Sequence, residues 1–203
     1  MTGTALEDGL RILTLNKYGE YYFGFGRHIR TVYRNVTDFR NFIAAESDDY
    51  LGSGVIHADF KHPIMELAVK DFATNYRAHV WGHNGPALLL RVLKSWCNAD
   101  YLEMMDYVSC NGFNVLHYSS FYLVDYFEAA EEFFIHRLAN KTGKPISLTD
   151  QVVGVHTWNK LTYNKPIYKN STQYYAWLAR TNCPAMFSIL SHFINCITEN
   201  FAR

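Results

Sequence analysis

The chain has no block of like charge. Nineteen Lys and Arg balance nineteen Asp and Glu across 203 residues, for a formal net charge of zero. This argues against the basic face of a nucleic-acid-binding domain and against a polybasic membrane patch. No apolar run reaches 18 residues, so no transmembrane helix is expected. The N-terminal stretch MTGTALEDGLRIL lacks the basic start of a signal peptide, and Glu7, Asp8 and Arg11 break any apolar core there. Taken alone, these absences suggest a cytosolic protein. No C-x-x-C pair occurs, which argues against a zinc ribbon or redox motif. The four cysteines, Cys97, Cys110, Cys183 and Cys196, leave two readings open: two local disulfides in an oxidising compartment, or four buried thiols. Internal repeats, low-complexity tracts and linkers are absent too.

What is present is enough apolar residue for one folded domain with a real core. Hydrophobic residues make up 49% and charged residues 19%, outside the disordered range. Aromatics reach 16%, which suits either a sugar-stacking cleft or a large aromatic core. Three N-glycosylation sequons begin at Asn35, Asn140 and Asn170; about two would arise by chance at ordinary residue frequencies, so they decide little.

Leu6, Leu10, Leu13 and Leu15 predict a short amphipathic helix ending near Gly19. Tyr21-Tyr22-Phe23 and the region of Val55-Ile56 read as strands. Pro63 and Pro86 each open a helix at its first position, where a missing N–H costs nothing. Met65, Val69, Phe72 and Tyr76 form the inward stripe of the first of these, and Leu89, Val92, Leu93 and Trp96 that of the second. Further strands are predicted over Asn114–Tyr118 and Gln151–Trp158. A last helix is predicted from Pro184, with Met186, Phe187, Leu190, Phe193, Ile194 and Ile197 on one side. Strands alternating with helices predict an α/β fold with a parallel or mixed sheet.

Three motifs stand out. The first joins Leu6-Glu7-Asp8-Gly9-Leu10-Arg11 to the stretch Lys17-Tyr18-Gly19-Glu20-Tyr21-Tyr22-Phe23-Gly24-Phe25-Gly26. The second is Trp81-Gly82-His83-Asn84-Gly85-Pro86, followed by a Leu-rich helix and Trp96-Cys97. The third is Val155-His156-Thr157-Trp158-Asn159-Lys160. In order and spacing they resemble the α1,4-glycosyltransferases of glycosyltransferase family 32, the lactosylceramide 4-α-galactosyltransferase-like enzymes, with particular likeness to insect members.

That resemblance covers almost the whole chain and implies a single domain over residues 1–203 with the Rossmann-like nucleotide-sugar fold known as GT-A. Residues 1–60 would be the remnant of the sugar-binding Asp-x-Asp region and 61–203 the C-terminal conserved region. It further implies UDP-galactose or UDP-N-acetylgalactosamine as donor, a glycolipid acceptor, retention of the α-anomer, Mn²⁺ as cofactor, and the lumenal side of the Golgi membrane. The family's N-terminal anchor and first donor-binding strands have no counterpart here, so the chain resembles a C-terminal portion. At the metal site the family pattern is Gly-Gly-x-Tyr-x-Asp-x-Asp, and this chain carries Gly24 and Gly26 at both aspartate positions. Without those carboxylates the resemblance implies an enzyme that has lost its metal, a sugar-binding module without catalysis, or a fragment of the fold with no independent role.

Other positions keep the pattern. Asp8 and Arg11 match the family's Ser-Asp-x-x-Arg helix beside the donor pocket, with Glu7 in place of Ser; an i, i+3 pair is equally a surface ion pair. His83 and Asn84 lie at a helix N-terminus suited to an anion, although Asn84 equally serves as a plain cap. His156 resembles a late metal or diphosphate contact; the alternative is a satisfied core histidine. Trp158 either stacks on a sugar or packs. Asp48-Asp49 reads as a solvated loop, and Phe133-Phe134 as either core or an acceptor-lipid surface. The resemblance also implies a Cys97–Cys110 disulfide.

Overall fold

A computed structural model describes residues 3–24, 28–30, 36–134, 148–168, 171–185 and 187–189. Gly26, the sequon asparagines, Cys196 and most of the helix expected after Pro184 lie outside them. In chain order the elements are α1 (Gly3–Tyr18), β1 (Glu20–Phe23), β2 (His28–Arg30), β3 (Phe42–Ala45), β4 (Leu51–Ala58), α2 (Pro63–Asn75), α3 (Pro86–Cys97), β5 (Asn114–Leu116), α4 (Ala129–Phe134), β6 (Gly154–His156), α5 (Asn159–Thr162) and α6 (Tyr174–Asn182). They fall into two compact units, Met1–Phe25 with Asn35–Tyr122, and Gly26–Arg34 with Leu123–Arg203.

The first unit is built on a four-stranded mixed sheet in the order β1-β4-β3-β5. Strand β4 runs antiparallel to both β1 and β3, while β3 runs parallel to β5. Phe23 therefore faces Val55, Ala45 faces Leu51 and Ala44 faces Leu116. The carboxyl ends of β1, β3 and β5 thus share one edge. Helices α1, α2 and α3 pack on the sheet around a core that includes Ile12, Leu15, Ile43, Ile56, Ile64, Met65, Leu89 and Leu93. This is the α/β arrangement, a mixed sheet flanked by helices, that the motifs implied.

Local chemistry explains most element ends. Helix α1 stops where Gly19 takes φ 72° and its N–H caps Leu15 O at 2.8 Å. Pro63 starts α2, and the His62 imidazole accepts from Ile64 N at 3.3 Å as its cap. Pro86 starts α3, which ends at Asn98 in the left-handed conformation.

Three expectations need correction. In α1 only Leu15 of the predicted stripe is buried; Leu6, Leu10 and Leu13 face solvent, each more than 50% exposed. The inward face is instead Asp8, Gly9, Arg11, Ile12 and Leu15, because α1 turns two polar side chains toward the α3 N-terminus. The strand expected over Asn114–Tyr118 ends at Leu116 and turns into a 3₁₀ segment at Tyr118–Ser120. That expected over Gln151–Trp158 contracts to Gly154–His156, because only β2 pairs with it.

In the second unit β2 and β6 form an antiparallel pair. Helices α4 and α6 are fastened by Gln173, 1% exposed. Its amide donates to Phe134 O at 2.8 Å and Pro166 O at 2.9 Å, while its Oε1 accepts from Tyr168 N and Ser171 Oγ. Phe133 and Phe134 are buried, stacking on Tyr174 and Tyr175, so this pair belongs to the core.

Buried His57 on β4 accepts the Asn41 N–H through Nδ1 at 2.8 Å, and burial pushes its pKa, and that of His62, below the ordinary imidazole value. A depressed folded pKa means that the unfolded chain binds these protons first. Stability is therefore full above about pH 6.5 and declines as the pH falls below it. Thermal unfolding should show a lower Tm at pH 5 than at pH 7.5. The variant carrying His57→Gln and His62→Asn should flatten that difference; an undiminished pH dependence would assign it to other groups.

Candidate active site

Ligands of open α/β sheets bind beyond the carboxyl ends of the strands. Gly24 lies on that edge, directly after β1, its N–H donating to Gly54 O at 2.8 Å. A Cβ at position 24 would meet only Gly54 and Tyr22 atoms at 3.5–3.6 Å, ordinary contact distances. Nothing in the backbone requires glycine here. The position has room for a carboxylate and carries none.

Helix α1 returns over the same edge. Arg11 donates to Asp8 Oδ1 at 2.8 Å and Glu7 Oε1 at 3.3 Å, and its guanidinium lies 4.8 Å from the centre of the Tyr22 ring. Both Asp8 and Arg11 are buried, so the pair is no surface bridge. Burial pushes the Asp8 carboxyl above its ordinary value, outweighing the attraction of Arg11. Arg11 Nε is itself buried without a hydrogen-bond partner. Buried charge and an orphaned donor are costly, and such costs concentrate at functional sites.

The Asp8 carboxylate also reaches the start of α3: a Cβ at Gly85 would lie 2.5 Å from Asp8 Cγ. The space that the sequence suggested for a ligand anion at this helix start is held by the chain's own Asp8. Asn84 does not cap α3, whose N-cap is Gly85. Its buried amide clamps the Arg77 backbone, accepting from N at 2.9 Å and donating to O at 2.8 Å. His83 Nε2 sits 2.9 Å from Asn75 O at the end of α2, and the His83 carbonyl accepts from Arg91, which is paired at 2.5 Å with Asp71. Trp81, by contrast, is 80% exposed. The structure thus brings Asp8, Arg11 and the Asn84–Gly85 turn together at the carboxyl edge, with His83 fastened to the end of α2.

His156 and Trp158 lie together in the second unit. His156 Nδ1 accepts from Trp158 N at 3.1 Å, and the two rings meet edge-to-face at 4.6 Å. The Trp158 indole donates to Val124 O at 2.7 Å, packs against Tyr126 and is 8% exposed, so it serves packing rather than sugar stacking. Among the described residues no three His, Cys, Asp or Glu side chains stand together as a cation site requires, and Gly24 offers no ligand. At position 24 the residue present therefore does not fit a bound Mn²⁺. Cys97 and Cys110 are joined in a disulfide, and Cys183 is a free, exposed thiol. Asp48 and Asp49 are exposed in the loop after β3.

A mixed α/β sheet with helices packed on it and an open carboxyl edge at Gly24 is the class that this geometry defines. Residues 57–190 match the family described as the Alpha 1,4-glycosyltransferase conserved region, about two-thirds of the chain, and the chain belongs to that family. Mouse lactosylceramide 4-alpha-galactosyltransferase is 28% identical over 195 residues, covering 93% of this chain and 50% of the mouse protein. The human protein of that name is 27% identical over the same length. Human alpha-1,4-N-acetylglucosaminyltransferase is 24% identical over 148 residues, covering 72% of this chain and 42% of its own length. The chain spans about half the length of these galactosyltransferases. No solved structure matches it.

Replacing Asn84 with Ala removes both partners of the Arg77 peptide and should cost about 1–3 kcal/mol in urea denaturation without any ligand present. Gly85→Ala should also destabilise, because Asp8 must move. A neutral Asn84→Ala would show that this side chain is kept for binding and not for the clamp.

Proposed function

We propose that this chain is the sugar-transfer fold of an α1,4-glycosyltransferase acting on a glycolipid, in a copy whose metal-dependent hold on the donor is lost. The single observation that carries the reading is Gly24, unstrained and open at the carboxyl edge where the family places a carboxylate. The donor class is a UDP-hexose or UDP-hexosamine, galactose or N-acetylgalactosamine by the family pattern; the relative named for N-acetylglucosamine transfer supports the hexosamine.

Sugar transfer leaves negative charge on the departing diphosphate, and this charge must be met for the bond to break. Among the described residues, Arg11 is paired with Asp8 and Arg91 with Asp71. They supply little unspent positive charge. In a retaining transfer the departing diphosphate can itself take the acceptor's proton, so no general base is assigned. Asp8 and Arg11 would hold β1 and α3 in register around the donor. The Cys97–Cys110 disulfide supports an oxidising compartment, in keeping with the Golgi lumen.

A second reading, a sugar-binding module without catalysis, is favoured by the same Gly24. Calorimetry on the variant carrying Gly24→Asp and Gly26→Asp decides between them. Restored carboxylates should strengthen UDP binding in Mn²⁺ by about tenfold or more over the unchanged chain. No metal-dependent gain in the double variant would mean that the missing aspartates are not the main defect.

A further inference from the structure

A cavity of about 400 Å³ opens at the other side of the sheet, among residues that include Ala45 at the end of β3 and Leu116 at the end of β5. It lies three strand spacings from β1, roughly 14 Å along the same carboxyl edge. Its volume falls within the ~300–1,000 Å³ of small-molecule sites. Polar groups at its lining come from Asp48, Asp49, Glu103, Asp106 and His117, and Tyr101 and Tyr118 add aromatic faces.

The chemistry of this lining selects among ligand classes. Four carboxylates with no Lys or Arg in the lining repel a phosphate or any other anion. A metal ion would need three close ligands, which no part of the described residues provides. An organic cation and a neutral ligand rich in hydroxyls remain, and the glycosyltransferase reading selects the second. Sugar hydroxyls donate to carboxylates, and the C–H face of a pyranose packs on aromatic rings. His117 completes the set: its Nδ1 accepts from Ser119 N at 3.2 Å, and its ring lies against Tyr118 at 4.1 Å.

The lining is also held in place. The loop from Tyr101 to Asp106 lies within the stretch closed by the Cys97–Cys110 disulfide, and Val115 N donates to Met105 O at 3.1 Å. Asp106 accepts from Val108 N at 2.9 Å and Ser109 N at 2.7 Å, which keeps its carboxylate ionised.

We infer that this cavity binds the neutral saccharide head of the acceptor, apart from the donor edge at Gly24. The inference rests on the glycosyltransferase reading above, and it is tested without donor or metal. Lactose is titrated into the ¹⁵N-labelled chain and followed by amide shifts, with sialyllactose as the anionic comparison. Lactose should shift Asp48, Asp49, Glu103 and His117, and sialyllactose should bind more weakly. Tyr101→Ala and Glu103→Gln, both on exposed side chains, should each weaken lactose by about tenfold, the worth of one good contact, with Tm unchanged. Shifts elsewhere, or equal binding by both variants, overturn the inference. An alkyl lactoside titrated in parallel separates lipid-linked from free sugar, and its shifts must fall on the same residues. UDP binding, measured separately on the variant carrying Gly24→Asp and Gly26→Asp in Mn²⁺, keeps the two claims apart: a metal-dependent gain without lactose binding defeats the cavity, and lactose binding without that gain defeats the donor reading.

Discussion

Strand β3 is the constraint from which the rest of the first unit follows. Phe42, Ile43, Ala44 and Ala45 are all buried, held by β4 on one side and β5 on the other. The first pairing is antiparallel and the second parallel, so one four-residue strand decides which way every neighbour runs. The start of β3 is fastened to the end of β4 by Asn41, whose side chain pairs with Asp59 at 2.8 Å in both directions, and by Arg40 on the same carboxylate at 2.7 Å. With β3 in place, the carboxyl ends of β1, β3 and β5 fall on one edge, and both proposed binding regions lie along it.

The Trp81–Pro86 motif then reads as architecture. Gly82 takes φ 70°, Asn84 clamps the Arg77 peptide, Gly85 leaves room for the Asp8 carboxylate and Pro86 starts α3. Each of these residue types is demanded by a contact or a backbone angle. Trp81 alone is left in solvent. The buried Asp8–Arg11 pair is an expensive wall for this edge, since removing two charges from water offsets much of their attraction.

Much of this was legible in the sequence. Pro63 and Pro86 marked two helix starts because proline loses nothing at that position; the apolar periodicity found Leu89, Val92 and Leu93 of the buried face of α3, but of α2 only Met65, missing Ile64 and Ala68. Strand β3 was not legible: Phe-Ile-Ala-Ala is short, lacks alternation because both its faces are buried, and ends in two residues of weak strand preference. Helix α6 was hidden because its N-cap residue Gln173 makes no cap bond and is fixed by contacts distant in sequence. The Leu6–Leu10–Leu13 stripe misled because hydrophobicity faced water while a polar pair turned inward. At the candidate site, motif positions identified Asp8, Arg11 and Asn84, but only coordinates showed Asn84 bound to backbone and Trp158 sealed by Val124 and Tyr126. The cavity near β5 was invisible because its lining residues come from three separate loops and no local pattern joins them.

The central claim is that this chain keeps the family's edge while lacking its metal ligands at Gly24 and Gly26. Calorimetric titration of the unaltered chain with UDP, in the presence and absence of Mn²⁺, tests it most directly. The account predicts the same weak affinity, or the same lack of heat, in both conditions. A large metal-dependent increase in UDP affinity would contradict it and place the cation on ligands other than the two lost aspartates.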